Sequence, residues 1–262
     1  MDLKTNTKMN KILLAGATGT LGSYLAKELV ENKFETTLLV RNTKKIAHLE
    51  AKIVKAELTK PETLKGVCHN IDVVISSVGI TRQKDKLTYM DVDFQANINL
   101  LNEAVKSGVK KFIYLSVING EELKHIKICE AKEKFVDALQ ASGLDYQIVR
   151  PNGFYTDLKE ILDMAKSGRA YLFGDGSIKL NPIHPEDLAK FCVENIDNKE
   201  TNLEIGGPET FSQKELAELA FEVLDKKTKI TYIPNWLANG TLSLIKLCTK
   251  STFYGPIEFF IT

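Results

Sequence analysis

The feature that most constrains this chain is a short strand pattern, Lys11-Ile12-Leu13-Leu14-Ala15, running without a break into Gly16-Ala17-Thr18-Gly19-Thr20-Leu21-Gly22. An amphipathic helical pattern follows at once over 21–31. Strand must give way to helix within seven residues, three of which are glycine. Glycine at 16 allows a tight turn, glycine at 19 lets the backbone approach a diphosphate, and glycine at 22 lets the helix lie close against the strand. A diphosphate there meets the unpaired amides and the positive dipole end of the helix. Gly16, Thr18, Gly19, Thr20, Leu21 and Gly22 are therefore the expected phosphate-side contacts of a dinucleotide.

The rest of the first two thirds repeats the alternation. Strand patterns at 11–15, 36–40, 52–56, 72–76, 111–116 and 146–150 are interleaved with helical patterns at 21–31, 94–107 and 130–142. Such βαβ units feed one sheet, so the expected class is α/β: a doubly wound, mainly parallel Rossmann sheet with a small C-terminal substrate lobe. Residues 11–150 would form the nucleotide-binding core, and 151–262 the remaining sheet elements and the lobe, in a single compact unit. Pro185 suits the first position of a helix over 185–196, and Ser212 with Glu215 predicts a capping box opening one over 212–225. The apolar stretch 236–248 falls short of the ~20 residues a membrane span needs and reads as a packed helix.

Charge narrows the partners. Lys and Arg number 35 against 34 Asp and Glu, which leaves no net field to hold nucleic acid. The polar opening 1–10 lacks the apolar stretch of an export signal, and Cys68, Cys129, Cys192 and Cys248 are too far apart in sequence for a Cys-x-x-Cys pair, so a reducing cytoplasm is expected. His48, His69, His125 and His184 form no metal-ligand spacing with one another or with the cysteines. Neither a Gly-x-Ser-x-Gly elbow nor a Walker-type Gly-Lys-Ser/Thr turn is present. The apolar run 257–261 suggests docking against the body; oligomeric state is not legible.

The glycine spacing, Gly-x-x-Gly-x-x-Gly, resembles that of the short-chain dehydrogenase/reductase superfamily. Three blocks sharpen the likeness: Asp93-Phe94-Gln95-Ala96-Asn97-Ile98-Asn99-Leu100-Leu101, Lys111-Phe112-Ile113-Tyr114-Leu115-Ser116, and Asp145-Tyr146-Gln147-Ile148-Val149-Arg150-Pro151. Over about residues 11–200 the chain looks like the atypical, NmrA-like and NAD(P)-binding branch.

The end of the second strand pattern reads Leu39-Val40-Arg41-Asn42, without the acidic residue that accepts from a free ribose 2′-hydroxyl. The planar donor fork of Arg41 suits a 2′-phosphate, so NADP is the expected cofactor, with Asn42 adjoining and Thr43, Lys44 and Lys45 extending the rim. The competing reading leaves Arg41 a solvated loop residue. The resemblance further implies that Glu57 and Leu58 sit beside adenine, and that Ser76, Ser77, Val78 and Gly79 pass the ribose; turn chemistry is the competing role for the serines.

The same resemblance implies a Tyr-x-x-x-Lys pair for proton transfer. Lys132 is the best match to the lysine, but four residues earlier stands Ile128, which cannot move a proton. Either Lys132 does acid-base work itself with a lowered pKa, or it holds a ribose, or it faces water. Ser116 matches the position of a substrate-bonding serine, and its competing role is capping a turn. Pro151, Asn152, Gly153 and Phe154 resemble the loop passing the nicotinamide. Tyr155, Tyr171, Phe173, Trp236, Phe253 and Tyr254 are candidates for an apolar substrate wall or for ordinary core, and His184 for the residue entering a helix. The leading expectation is an NADP-dependent oxidoreductase acting on a small apolar carbonyl or conjugated substrate. The alternatives are a non-catalytic NADP-binding redox sensor or scaffold and, third, an epimerase or dehydratase on a nucleotide sugar.

Overall fold

The computed structural model describes residues 10–43, 46, 49–81, 87–248 and 258. The glycine turn joins β1 (Lys11–Ala15) to α1 (Thr20–Glu31), followed by β2 (Glu35–Val40), β3 (Lys52–Lys55) and β4 (Val73–Ser76). A π-wound turn, Met90–Ala96, continues into α2 (Asn97–Lys106); then come β5 (Lys111–Leu115), α3 (Lys127–Gln140) and β6 (Asp145–Pro151). Beyond lie α4 (Lys159–Lys166), β7 (Ala170–Phe173), β8 (Lys179–Leu180), α5 (Pro185–Glu194) and β9 (Asn202–Ile205). The remaining elements are β10 (Phe211–Ser212), α6 (Gln213–Val223), β11 (Ile230–Ile233) and α7 (Asn235–Cys248).

Seven strands form one parallel sheet in the order β3-β2-β1-β4-β5-β6-β9. Strand order reverses between β1 and β4, the switch point where open α/β sheets leave a crevice at their carboxyl edge. Alternation along each strand separates two cores. Ile12, Leu14, Leu38, Val73 and Ile75 face α1 and α5, whereas Leu13, Leu39, Val74, Phe112 and Tyr114 face α2 and α3. Each such side chain is fully or almost fully buried, contributing roughly 1.5–3 kcal/mol by the burial of apolar area.

The sixth expected strand extends one residue further at each end, and β9, whose four residues are too few to stand out after Pro151, adds the seventh. The helix expected over 94–107 begins earlier, because Thr88 and Asp91 exchange bonds: Asp91 N donates to Thr88 Oγ1 at 3.2 Å and Thr88 N to Asp91 Oδ2 at 2.8 Å. The capping box at Ser212 and Glu215 forms as expected, and Pro185 opens α5 behind His184. His184 Nδ1 accepts from Glu186 N at 3.2 Å, which gives it the structural place anticipated for it.

A separate small core of Ala165, Ala170, Leu172, Ala217 and Phe221 holds α4, α6 and β7 together, with β11 running parallel to β7. The stretch 236–248 is helical, but only Ala238 and Leu242 of its described side chains are buried, and Trp236 is 75% exposed. Among the described residues no helix is long and apolar enough to cross a membrane. Glu258, one residue of the apolar run at the end of the sequence, is buried: it accepts from Lys127 N at 3.1 Å, and Lys246 Nζ lies 2.6 Å from its carboxylate.

Candidate functional site

Gly16 leaves β1 at φ +89°, a conformation that disfavours any side chain, and a β-carbon there would lie 2.7 Å from Ser77 Oγ. Gly19 N donates to Gly16 O at 2.9 Å and closes the turn. A β-carbon on Gly22 would land on the carbonyl oxygen of Gly16, so the close approach of α1 to the turn requires glycine. Among the described residues no side chain caps α1, and its first turn carries no carboxylate. Its leading amides and dipole are left to an anion.

The turn forms one wall of a cleft of about 310 Å³. Gly16, Thr18 and Gly19 face Ser77, Val78 and Gly79 from the end of β4. Arg41, just past β2, and Glu57 with Leu58, just past β3, close the outer end, and Val92 and Ala96 of the π-wound turn close the other side. Arg41 is exposed. Hydrogen bonding by Lys60, at 2.9 Å, holds the Glu57 carboxyl below its ordinary range, with Arg41 adding a smaller pull.

The expected residues divide accordingly. Thr20, Leu21 and Gly22 form the start of α1 beside the cleft, and Asn42 follows Arg41 outside the lining. Ser76 is fully buried and donates to Asn97 Oδ1 at 2.6 Å; strand alternation turns it inward while Ser77 takes the rim. Lys44 and Lys45 lie outside the described residues.

Lys132 does not line the cleft but stands behind it. Its Nζ lies 3.0 Å from Asp93 Oδ1 and 5.5 Å from the centroid of the Tyr114 ring, and it would touch a β-carbon on Gly79 at 2.9 Å. Burial alone would lower the pKa of this amine, but its neighbours Tyr114 and Asp93 outweigh burial and hold it above the ordinary lysine value. Of the readings open for Lys132, the one that gives it a lowered pKa finds no support in these surroundings. Burial pushes the Asp93 carboxyl up, and the facing ammonium and the Ile80 amide pull it back only in part. Ile128, one turn before Lys132, is buried among Tyr89, Ile126 and Cys129. The role of Asp93 was invisible in the sequence, where it is one acid in a polar helical opening.

Ser116 belongs to a second buried cluster. Its hydroxyl donates to Glu133 Oε1 at 2.8 Å, and Glu133 receives both Arg150 Nη1 at 2.7 Å and Nη2 at 2.8 Å. Arg150 also donates to Asn202 Oδ1 and the Val117 carbonyl. The hydroxyl is thus engaged with Glu133, the residue that follows Lys132 on α3.

The loop after β6 is stitched to the chain near residue 182: Ile183 N donates to Gly153 O at 3.1 Å, Asn152 Nδ2 donates to Asn181 Oδ1, and Phe154 forms a bridge with Ile183. Ile118 N donates to Pro151 O at 3.2 Å. None of Pro151, Asn152, Gly153 and Phe154 lines the cleft. Among the described residues the candidate aromatic wall does not converge: Tyr155 lies on a groove between α4 and α6, and Tyr171 and Trp236 face outward, while Phe253 and Tyr254 are outside the described residues. Among the described residues no group of three His, Cys, Asp or Glu side chains is placed to hold a metal.

A doubly wound parallel sheet, with a glycine turn opening a helix at its switch point, defines a Rossmann-type dinucleotide-binding protein. A family model described as NAD(P)H-binding matches residues 16–199, and the chain belongs to that family. The photosystem II assembly factor Ycf39 of Guillardia theta is 27% identical over 231 residues, which cover 85% of this chain and 73% of that protein. The chloroplastic divinyl chlorophyllide a 8-vinyl-reductase of Cucumis sativus is 28% identical over 277 residues, covering 97% of this chain and 66% of the enzyme. The fold is shared with an NADPH-dependent quinone oxidoreductase of Escherichia coli solved with NADPH, at a TM-score of 0.77 and 16% identity over 95% of this chain and 88% of that one.

Proposed function

We propose that the chain is an NADP-dependent oxidoreductase acting on a small, apolar carbonyl or conjugated substrate. The observation that carries the reading is the cleft itself: an uncapped helix start behind Gly16 and Gly19 at one point of its wall, and the exposed Arg41 guanidinium at its outer end. The cradle fits a diphosphate because a β-carbon at Gly16 would crowd Ser77 on the facing wall. Gly16, Thr18, Gly19, Thr20, Leu21 and Gly22 would hold the diphosphate; Arg41, with Asn42, a 2′-phosphate; Glu57 and Leu58 the adenine side; and Ser77, Val78 and Gly79 the ribose, with Ser76 supporting the rim from within. Bound NADPH supplies a hydride equivalent. Lys132 would hold a proton and a positive charge at the inner wall, and the loop Pro151, Asn152, Gly153 and Phe154 would bound the far end of the site, with Ser116 fixing α3 from behind.

The relatives' names support the class: one is named as a divinyl chlorophyllide a 8-vinyl-reductase, and a fold neighbour as an NADPH-dependent quinone oxidoreductase. The lobe of α4, α6, β7 and β11 is the candidate substrate lobe, so residues 11–150 carry the nucleotide and 151–262 the selection of substrate. Buried thiols at Cys68, Cys129 and Cys192, none in a disulfide, support a reducing compartment, the cytoplasm in our reading, although the cucumber relative's name places that enzyme in a chloroplast.

A second reading, an NADP-binding sensor or scaffold without turnover, is favoured by Ile128, which is buried where the usual proton donor would stand; a relative named as an assembly factor agrees with it. Fluorescence titration with NADPH and NADH, followed by single-turnover oxidation of bound NADPH against quinones, enones and aldehydes, separates the readings. NADPH preference with turnover is expected. A preference for NADH overturns the cofactor assignment, and tight NADPH binding with no acceptor reduced overturns the enzymatic one.

A further inference from the structure

We propose that the outward face of α7 is the surface through which two copies of this chain pair, their helices lying antiparallel and crossing at Gly240. The inference goes beyond the nucleotide reading and does not rest on it.

The helix is docked on one side only. Ala238 and Leu242 are buried and Ile245 is half-buried, which marks the side turned to the body. At 3.6 residues per turn the opposite side has Gly240 at its centre, flanked by Trp236, Leu237, Ser243 and Leu244. Trp236 is 75% exposed, Leu237 45% and Leu244 65%. Their uncovered apolar surface is on the order of 400 Å², within the range of patches that mark interaction sites. From Asn235 to Ile245 the helix holds no charged residue, so it lacks the charged outer face that a helix at a solvated surface normally carries.

The face is built to be covered. Thr241 Oγ1 donates to Leu237 O and Ser243 Oγ to Asn239 O, each at 2.8 Å, so both hydroxyls keep a partner within the helix when water is removed. Gly240 serves no purpose within the single chain: it lies inside a helix without a positive φ, a β-carbon there would meet nothing within 4 Å, and glycine weakens a helix interior. What it permits is the close approach of a second backbone.

A second copy fits this face because the face is complementary to itself. Trp236 and Leu244 stand four positions to either side of Gly240. A two-fold axis at Gly240 therefore sets the indole of each copy against Leu244 of the other, and Leu237 of each against Ser243. Large meets smaller at both ends, the opposed helix dipoles attract, and no like charges meet across the axis. An anionic lipid surface would instead call for cations beside the apolar face. The one cation of α7, Lys246, lies 2.6 Å from the Glu258 carboxylate. Two such faces together remove about 800 Å², the low end of the interface scale, so the pair is reversible, with a dissociation constant on the order of 10 µM.

The test is sedimentation velocity on the whole protein from about 1 to 300 µM, a range that brackets that constant. The unaltered protein is expected to pass from monomer to dimer. Trp236→Lys and Leu244→Glu should each weaken pairing by about a hundredfold and leave a monomer throughout, with an unchanged far-UV circular dichroism spectrum because both side chains face water in the single copy. An equimolar mixture of the two variants should pair again, since the introduced ammonium of one copy then faces the introduced carboxylate of the other. Gly240→Leu should weaken the dimer by about tenfold or more without lowering the melting temperature of the dilute protein. An unaltered protein that stays monomeric over the whole range overturns the proposal, and so does a dimer that survives Trp236→Lys, which places the contact elsewhere. A mixture that remains monomeric overturns the antiparallel pairing. A monomer that pellets with phosphatidylglycerol vesicles gives the face to lipid and overturns the proposal as well.

Discussion

The Glu133 carboxylate and the Arg150 guanidinium meet through two parallel hydrogen bonds, of 2.7 and 2.8 Å, with Glu133 fully buried and the arginine side chain 7% exposed. The pair joins α3 to β6, and through Ser116 it also reaches the end of β5. Removing one partner leaves the other charged and without compensation, which generally costs more than the pair contributes. Glu133→Gln is expected to lower unfolding stability by about 3–5 kcal/mol, as judged from urea titration. The double variant Glu133→Leu with Arg150→Met should recover most of that loss, since an apolar pair of similar volume is often as stable.

Nucleotide selectivity should reside in Arg41. Arg41→Ser is expected to weaken NADPH by about ten- to a hundredfold, the scale of one or two charge-assisted hydrogen bonds, while NADH changes by less than about twofold. Equal losses for the two nucleotides in a calorimetric titration would remove the 2′-phosphate assignment.

Gly22→Ala tests the turn by shape alone. Its methyl group would collide with the Gly16 carbonyl, forcing α1 away from β1. The expected result is a stability loss of roughly 1–3 kcal/mol from overpacking, with NADPH affinity down by about tenfold or more. Far-UV circular dichroism should remain that of a folded α/β protein, so that the two losses can be measured separately.

Asp72 predicts an acid-side dependence. Burial by itself would raise its carboxyl, but Lys110 at 2.7 Å and the backbone amides of Lys11 and Asn10 outweigh burial and place it below the ordinary range. A depressed folded pKa contributes stability that is complete above the unfolded value of about 3.9 and lost as pH falls through the folded one. Asp72→Asn should therefore flatten the decline in melting temperature below about pH 4, at a cost of about 1 kcal/mol at neutral pH.

What was legible in the sequence was local. The glycine turn declares itself because backbone geometry and residue type are coupled within seven positions, and the place of Arg41 on the cleft because it directly follows β2, the strand paired with β1. Ser212 with Glu215 worked for the same reason, three residues apart. Asp93 was not legible, since its partner comes 39 positions later and nothing in a helical opening marks an acid as buried. The turning of Ser76 inward followed from strand phase, which a four-residue strand reveals poorly. Trp236 was misplaced for another reason: apolar composition says that a helix forms, but not which of its faces finds a neighbour.

The carboxylate of Glu258 touches the amide that opens α3, five residues ahead of Lys132 on the same rigid rod. Shortening the chain before that position would strip a negative charge from the amino end of the helix and release its first turn. Two preparations differing only in their last few residues should then disagree about ligand affinity, and the quarrel would be traced to a tether rather than to the cleft.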